Sequence, residues 1–182
     1  MKAIALLLLA LLVPAAWAQP FTQPPSATGV PASANLTNAT ATVANGILTL
    51  TLKASGGEFT AWTHVFIDVG PATSPSYNHS SGQPAGRGME ILFEGGQAYR
   101  FAGETSTVWS WTPIADVTVE RIVTGTTLTL KSPLAALSLP SGGTVKIFAA
   151  TYTENYADTL DTLPRDTRAW SFVVPKYTAP AH

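Results

Sequence analysis

The chain of 182 residues contains no cysteine and few charged side chains. The lack of cysteine excludes a disulfide framework, a thiol nucleophile and cysteine-ligated metal sites. Charged residues make up 12 % of the chain, and ten basic against eleven acidic side chains leave a net charge of −1. Because no basic stripe is present, nucleic acid is not expected as a partner. The composition instead predicts a polar but mostly uncharged surface.

Catalytic signatures are also missing. The sequence contains neither the G-x-S-x-G pattern of a nucleophile elbow nor the H-E-x-x-H pattern of a zinc protease. Glu90 and Glu94 are the most suggestive carboxylate pair, but four residues along a strand separate their Cα atoms by about 13 Å. An inverting glycosidase needs about 6.5–9.5 Å between its carboxyl groups. We therefore expect a protein that is not an enzyme.

The opening MKAIALLLLALLVPAAWAQ has the pattern of a secretory signal. One lysine precedes an unbroken apolar stretch, and an A-x-A cleavage site ends at Ala18. The apolar stretch is shorter than the roughly 20 residues that a membrane span requires. Residues 1–18 are therefore predicted to be a signal peptide, with no transmembrane segment after its removal. This places the protein outside the cell or in the periplasm.

The remainder divides into three parts. Residues 19–34 carry four prolines and no apolar period, which is typical of an extended tether. Residues 35–176 contain roughly nine short apolar runs separated by turn residues, without a helical period of useful length. Many short strands without helices favour a sandwich or a barrel. We predict a single-domain, all-β antiparallel sandwich over residues 35–176, followed by a C-terminal tail at 177–182.

The clearest local signal in the domain is the dipeptide Asn45-Gly46. It lies between two alternating runs and supplies the positive φ angles of a type I′ hairpin turn. The second run is expected to place Leu48, Leu50 and Leu52 on one face of the sheet.

Several longer motifs follow one another in a distinctive order. VFIDVG precedes a variable loop, and then come MEILFEGGQAYRF, WSW, VERIVTGTTLTLKSPLAAL and VKIFAATYTENYADTLDTLP. This order, from about Gly46 to Val174, resembles the DOMON-like β-sandwiches and, within them, the family 9 carbohydrate-binding modules. The resemblance implies a jelly-roll-like antiparallel sandwich used for binding. Relatives recognise sugars or haem, often with a structural calcium.

The tryptophans are the first candidates for a binding surface, because an indole offers a rigid apolar plane on which a sugar ring can stack. Trp109 and Trp111 should project from the same side of an extended strand, although the polar Ser110 between them favours the core for this pair. Trp62 is expected on a second, exposed or cleft-lining face. The candidate ligand-binding residues are Trp62, His64, Tyr99, Arg100, Trp109 and Trp111. The alternative for any single tryptophan is burial between the sheets.

Two kinds of metal centre are also considered. Calcium prefers oxygen ligands from flexible loops, and the candidates are Asp68, Glu154, Asp158 and Asp161. Their spacing matches no EF-hand, and the alternative is a solvated loop in which these residues form turns. Haem needs axial donors, for which His64 and Met89 are the candidates. A methionine at the start of a strand is more often part of the core.

Three functional hypotheses follow. The first is a secreted, non-catalytic module that binds a carbohydrate polymer by aromatic stacking. The second is a structural or adhesive component of the cell envelope that binds protein partners. The third is a haem-binding DOMON domain.

Overall fold

A computed structural model describes residues 17–26, 28–70, 76–78, 88–166 and 170–177. These residues form twelve strands and two 3-10 helices, the latter at Ala135–Leu137 and Glu154–Tyr156. The strands are β1 (Trp17–Thr22), β2 (Leu36–Ala44), β3 (Ile47–Ala54), β4 (Trp62–Asp68), β5 (Ile91–Glu94), β6 (Gln97–Phe101), β7 (Trp111–Thr118), β8 (Glu120–Thr124), β9 (Thr127–Pro133), β10 (Thr144–Tyr152), β11 (Thr159–Leu163) and β12 (Trp170–Val173). Within the described ranges, no helix is long and apolar enough to cross a membrane.

The strands form two antiparallel sheets. The smaller sheet has the order β1-β2-β3-β9-β8, and the larger has the order β11-β10-β4-β5-β6-β7, with β12 also paired to β10. The pairings β3–β9 and β4–β10 join strands that are far apart in sequence, so each sheet contains strands from both halves of the chain. The predicted all-β antiparallel sandwich is confirmed.

The hairpin predicted at Asn45-Gly46 is confirmed in its turn and its register. These two residues have φ angles of 50° and 75°, as a type I′ turn requires. They join β2 to β3, and Leu48, Leu50 and Leu52 are all buried on one face. Fully burying one such leucine stabilises the fold by about 1.5–3 kcal/mol.

The main core lies between the two sheets. The larger sheet contributes the alternate residues Val65 and Ile67 from β4, and β12 contributes the fully buried Trp170. The segment SPLAALSL contains the 3-10 helix Ala135–Leu137, and Leu137 also enters this core. The core therefore uses only one face of each strand, which leaves the outer face of the larger sheet to be explained.

The segment predicted as a tether is partly folded. β1 pairs with β2 from Trp17 opposite Val43 to Thr22 opposite Asn38, so it includes residues on both sides of the predicted cleavage position. The main-chain oxygen of Gln19 accepts a hydrogen bond from the Trp170 indole at 3.3 Å. β1 is an edge strand, where a proline removes no hydrogen bond that the sheet needs. Its one proline, Pro20, therefore did not exclude strand structure.

The run from Val117 to Val123 is divided between the two sheets. β7 ends at Thr118 in the larger sheet and β8 begins at Glu120 in the smaller one. Between them, the N–H of Val119 donates to the carbonyl of Gly96 at 2.9 Å. The chain therefore turns a corner of the sandwich at Val119.

Candidate functional site

The outer face of the larger sheet carries a second apolar cluster, separate from the main core. Along β4, Val65 and Ile67 point inward, while Phe66 points outward and is fully buried. Aromatic residues from neighbouring strands and loops cover it. We call this set the outer aromatic layer; it comprises Phe66, Tyr77, Tyr99, Phe101, Trp111, Phe148, Tyr152 and Tyr156.

Trp109 and Trp111 pack on this outer layer and not between the sheets. Their ring centroids are 5.7 Å apart, which confirms that the two indoles project to the same side. Trp111 is half-buried, 5.3 Å from Phe101, whereas Trp109 is 49 % exposed and meets Tyr77 edge-on at 5.2 Å. The preference for the core that the polar Ser110 suggested is wrong, because the layer outside the sheet supplies its own apolar surroundings.

His64 lies at the centre of the exposed end of the layer. It is 3 % exposed, stacks on Tyr156 with ring centroids 4.1 Å apart, and lies 5.2 Å from the ring of Trp109. Its Nε2 atom is 3.2 Å from Oε1 of Glu94. Burial, together with the charge of the nearby Glu94, raises the pKa of Tyr156 to about 12. These contacts fix the aromatic rings in place.

Trp62 lies at the edge of the layer and lines two cavities. Its indole is 41 % exposed, and its ring meets Tyr156 edge-on at 4.8 Å. Each cavity has a volume of about 300 Å³; Arg121 lines one and Glu154 lines the other. An apolar plane is thus flanked by two grooves that contain polar and charged groups.

Tyr99 and Arg100 do not share a face. Tyr99 pairs with Leu92 and belongs to the outer aromatic layer. Arg100 is the next residue along the strand and points the other way, where its Nη2 donates to the carbonyl of Leu137 at 3.2 Å. The structure therefore places Arg100 on the face opposite Tyr99, the face to which Ile91, its partner on β5, also points.

The four candidate calcium ligands are not brought together. Asp68 lies opposite Lys146 on β10 and its Oδ2 atom is 3.7 Å from that ammonium, whereas Asp161 lies opposite Thr151, five residues further along. Glu154 and Asp158 are exposed in the loop before β11. Among the residues that the structure describes, no group of three histidine, aspartate or glutamate side chains is placed to hold a metal ion.

Asp161 has a structural partner instead. Its carboxylate accepts two hydrogen bonds of 2.6 Å from Arg165 and one of 2.6 Å from the N–H of Leu36. Arg165 also donates to Asn35 at 2.9 Å and to the carbonyl of Pro24. This buried ion pair fastens β11 to the start of β2 and to the segment that was predicted to be a tether.

His64 and Met89 are not arranged as a pair of axial donors. The register of β4 and β5 places His64 opposite Glu94, and Met89 lies five residues before Glu94, about 16 Å along the strand direction. Met89 is buried as part of the outer cluster. Its role in the described fold is packing.

The sequence interpretation missed several residues of this surface, namely Tyr77, Tyr152, Tyr156 and Arg121. It also missed Arg165, which pairs with Asp161 elsewhere in the fold. One signal was available in β10, where Phe148, Ala150 and Tyr152 alternate with Ile147 and Ala149. A strand that is apolar on both faces must be covered on both. The tyrosines and Arg121 come together only through the fold, since they lie on separate strands and loops.

A scan against protein-family models, a search of curated proteins and a search of solved structures each returned no significant match to this chain. The resemblance to DOMON-like modules therefore still rests on the motifs quoted above.

Glu94 and Glu90 both lie on β5 or directly before it, yet their pKa values shift in opposite directions. The contact with His64 lowers the pKa of Glu94. Burial raises the pKa of Glu90, whose Oε2 accepts the N–H of Val69 at 2.8 Å while Oε1 has no partner among the described residues. The surroundings thus favour the charged form of Glu94 and disfavour the charged form of Glu90.

This contrast predicts opposite pH effects for Glu94→Gln and Glu90→Gln. A lowered pKa contributes stability that is lost as pH falls through the folded-state pKa. The free energy of unfolding of the wild type should therefore exceed that of Glu94→Gln by less on acidification. A raised pKa contributes stability that is lost as pH rises. The free energy of unfolding of the wild type should therefore fall relative to that of Glu90→Gln towards neutral pH. Urea unfolding from about pH 3 to pH 7 measures both. If the stability difference from the wild type changed with pH in the same direction for both variants, the opposite pKa shifts of Glu94 and Glu90 would be contradicted.

Proposed function

We propose that the chain is a secreted, non-catalytic module that binds a carbohydrate polymer at the exposed edge of the outer aromatic layer. The observation that carries the proposal is the position of Trp62, which is partly exposed and lines two grooves. Sugar rings have apolar C–H faces and polar hydroxyl edges. An indole plane beside polar groups matches both features.

The grooves have a suitable size and chemistry. A volume of about 300 Å³ is at the lower end for small-molecule pockets. Thr60 lines both grooves, Arg121 adds donors on one side, and Glu154 adds acceptors on the other. A polymer that crosses Trp62 would therefore meet hydrogen-bonding groups in both directions.

The surface is also rigid. Tyr156 supports the edge of Trp62 and is itself stacked on His64, which Trp109 covers from the solvent side. Groups that are fixed before binding lose little conformational entropy when the ligand arrives. Exposed rings on a fixed base support a binding function more than a catalytic one.

A glycan array probed first with calcium and then with chelator tests the proposal. We expect retention of a neutral polysaccharide that is insensitive to salt, because stacking does not depend on charge, and insensitive to chelator, because the four candidate calcium ligands are dispersed. Substituting the exposed Val108 with alanine provides a control that should retain binding. Absence of retention on every neutral glycan would contradict the proposal.

An adhesive envelope protein is the second candidate, favoured by the neighbouring exposed apolar residues Val108 and Trp109, which are 48 % and 49 % exposed. Contiguous exposed apolar groups often mark protein interfaces. Pull-down from envelope fractions followed by size exclusion separates the two functions. A stable protein complex formed without any glycan retention would favour adhesion.

A further inference from the structure

A larger cavity lies at the other end of the sandwich. It has a volume of about 610 Å³ and lies between the Asn45-Gly46 turn and the chain that follows β12. Val173, which borders it, pairs with Thr144 at the start of β10, whereas Trp62 pairs with Tyr152 at its end. Eight residues of strand, about 26 Å, separate the two places. The cavity is therefore independent of the proposed carbohydrate site.

The main chain around this cavity has its hydrogen bonds satisfied internally. The N–H of Gly142 donates to the carbonyl of Val174 at 3.1 Å, and the N–H of Leu134 donates to the carbonyl of Gly46 at 2.8 Å. The hydroxyl of Tyr177 donates to the carbonyl of Leu139 at 2.6 Å. A ligand would thus meet mainly aliphatic side chains, such as those of Val43, Leu134, Val173 and Val174.

Lys176 is the one charged residue among those that line the cavity. Its aliphatic stem lies against Gly142, because a Cβ atom at that glycine would be 3.4 Å from the lysine Cγ. Within the described part of the chain, no carboxylate forms an ion pair with it, and the residue is exposed. An ammonium without an ion-pair partner among the described residues therefore borders a space that is lined mainly by apolar residues.

We propose that this cavity binds the anion of a free fatty acid. The alkyl chain occupies the apolar space and the carboxylate pairs with the Lys176 ammonium. Apolar walls with one cation complement a molecule that has a single anionic end. The competing occupant is the chain's own apolar segment before β1, because Trp17 pairs with Val43, which lines the cavity.

Calorimetric titration of the secreted chain, with its N-terminus established by mass spectrometry, tests the proposal. Octanoate, decanoate and dodecanoate should bind with increasing affinity, at most about fifteenfold for each added pair of methylenes. Dodecanol should bind several-fold more weakly than dodecanoate. Lys176→Met should abolish this preference for the carboxylate while the dependence on chain length remains. Lys53→Met, at an exposed position on β3, is the matched control and should behave as the wild type.

A second variant tests the cavity itself. Ala44 lines the cavity at the exposed end of β2, so Ala44→Phe should fill part of the space and weaken all three acids without lowering the melting temperature. Equal affinities across the chain lengths would overturn the proposal, as would a Lys176→Met variant that still prefers the carboxylate. If a purified chain that retains residues 1–18 binds none of the acids, its own apolar segment is the occupant of the cavity. This result would also overturn the proposal.

Discussion

Asp161→Ala is expected to destabilise the fold by about 3 kcal/mol, the lower end of the cost of removing one partner of a buried ion pair, because the Arg165 side chain left behind is 24 % exposed. The change leaves the guanidinium of Arg165 without its carboxylate and the N–H of Leu36 without its acceptor, since both now bond to Asp161. Urea unfolding at neutral pH measures the loss.

Asp158→Ala is the matched control, because it removes an exposed carboxylate from the loop directly before β11. Its effect should stay within about 0.5 kcal/mol. The double variant Asp161→Ala/Arg165→Ala should be less destabilised than the sum of the two single changes, since the partners interact directly. Equal stability of Asp161→Ala and Asp158→Ala would show that the ion pair contributes nothing.

Trp62→Ala is expected to weaken carbohydrate retention at least about thirtyfold, which corresponds to about 2 kcal/mol for a dominant aromatic contact. Trp62 lines both grooves, so its removal takes away an apolar surface that they share. Because the residue is partly exposed and touches the fold mainly through Tyr156, the melting temperature should change little. Affinity electrophoresis in gels that contain the retained glycan measures the effect.

Val173→Ala provides the control for this prediction, since Val173 is comparably exposed but lies at the other end of the sandwich. Trp62→Phe should restore part of the retention, because a smaller aromatic face remains. Retention by Trp62→Ala that matches Val173→Ala would exclude Trp62 from the site.

The architecture was predictable because its signals are local. The Asn45-Gly46 turn and the alternation of Leu48, Leu50 and Leu52 each depend on neighbouring residues, and both are found as expected. Alternation along β4 also separated Trp62 and His64 from Val65 and Ile67 correctly.

The composition of the site was less predictable because it depends on which face of each strand is covered. Period-two alternation separates Tyr99 from Arg100 but does not say which of them points outward. Asp161 in an acidic loop resembles a calcium ligand until Arg165 is placed beside it by the fold. The edge strand β1 was missed because prolines conceal strand signals where the sheet tolerates them.

The tryptophans differ in exposure, so their intrinsic fluorescence can report on the binding surface. Trp62 and Trp109 face water, whereas Trp170 is sealed in the main core. Indoles in water emit at longer wavelengths than sealed ones, so the native spectrum should contain separable components. Iodide should quench the long-wavelength component first. A ligand that covers Trp62 should protect the emission of this indole from iodide, so the occupancy of the surface can be measured without a label.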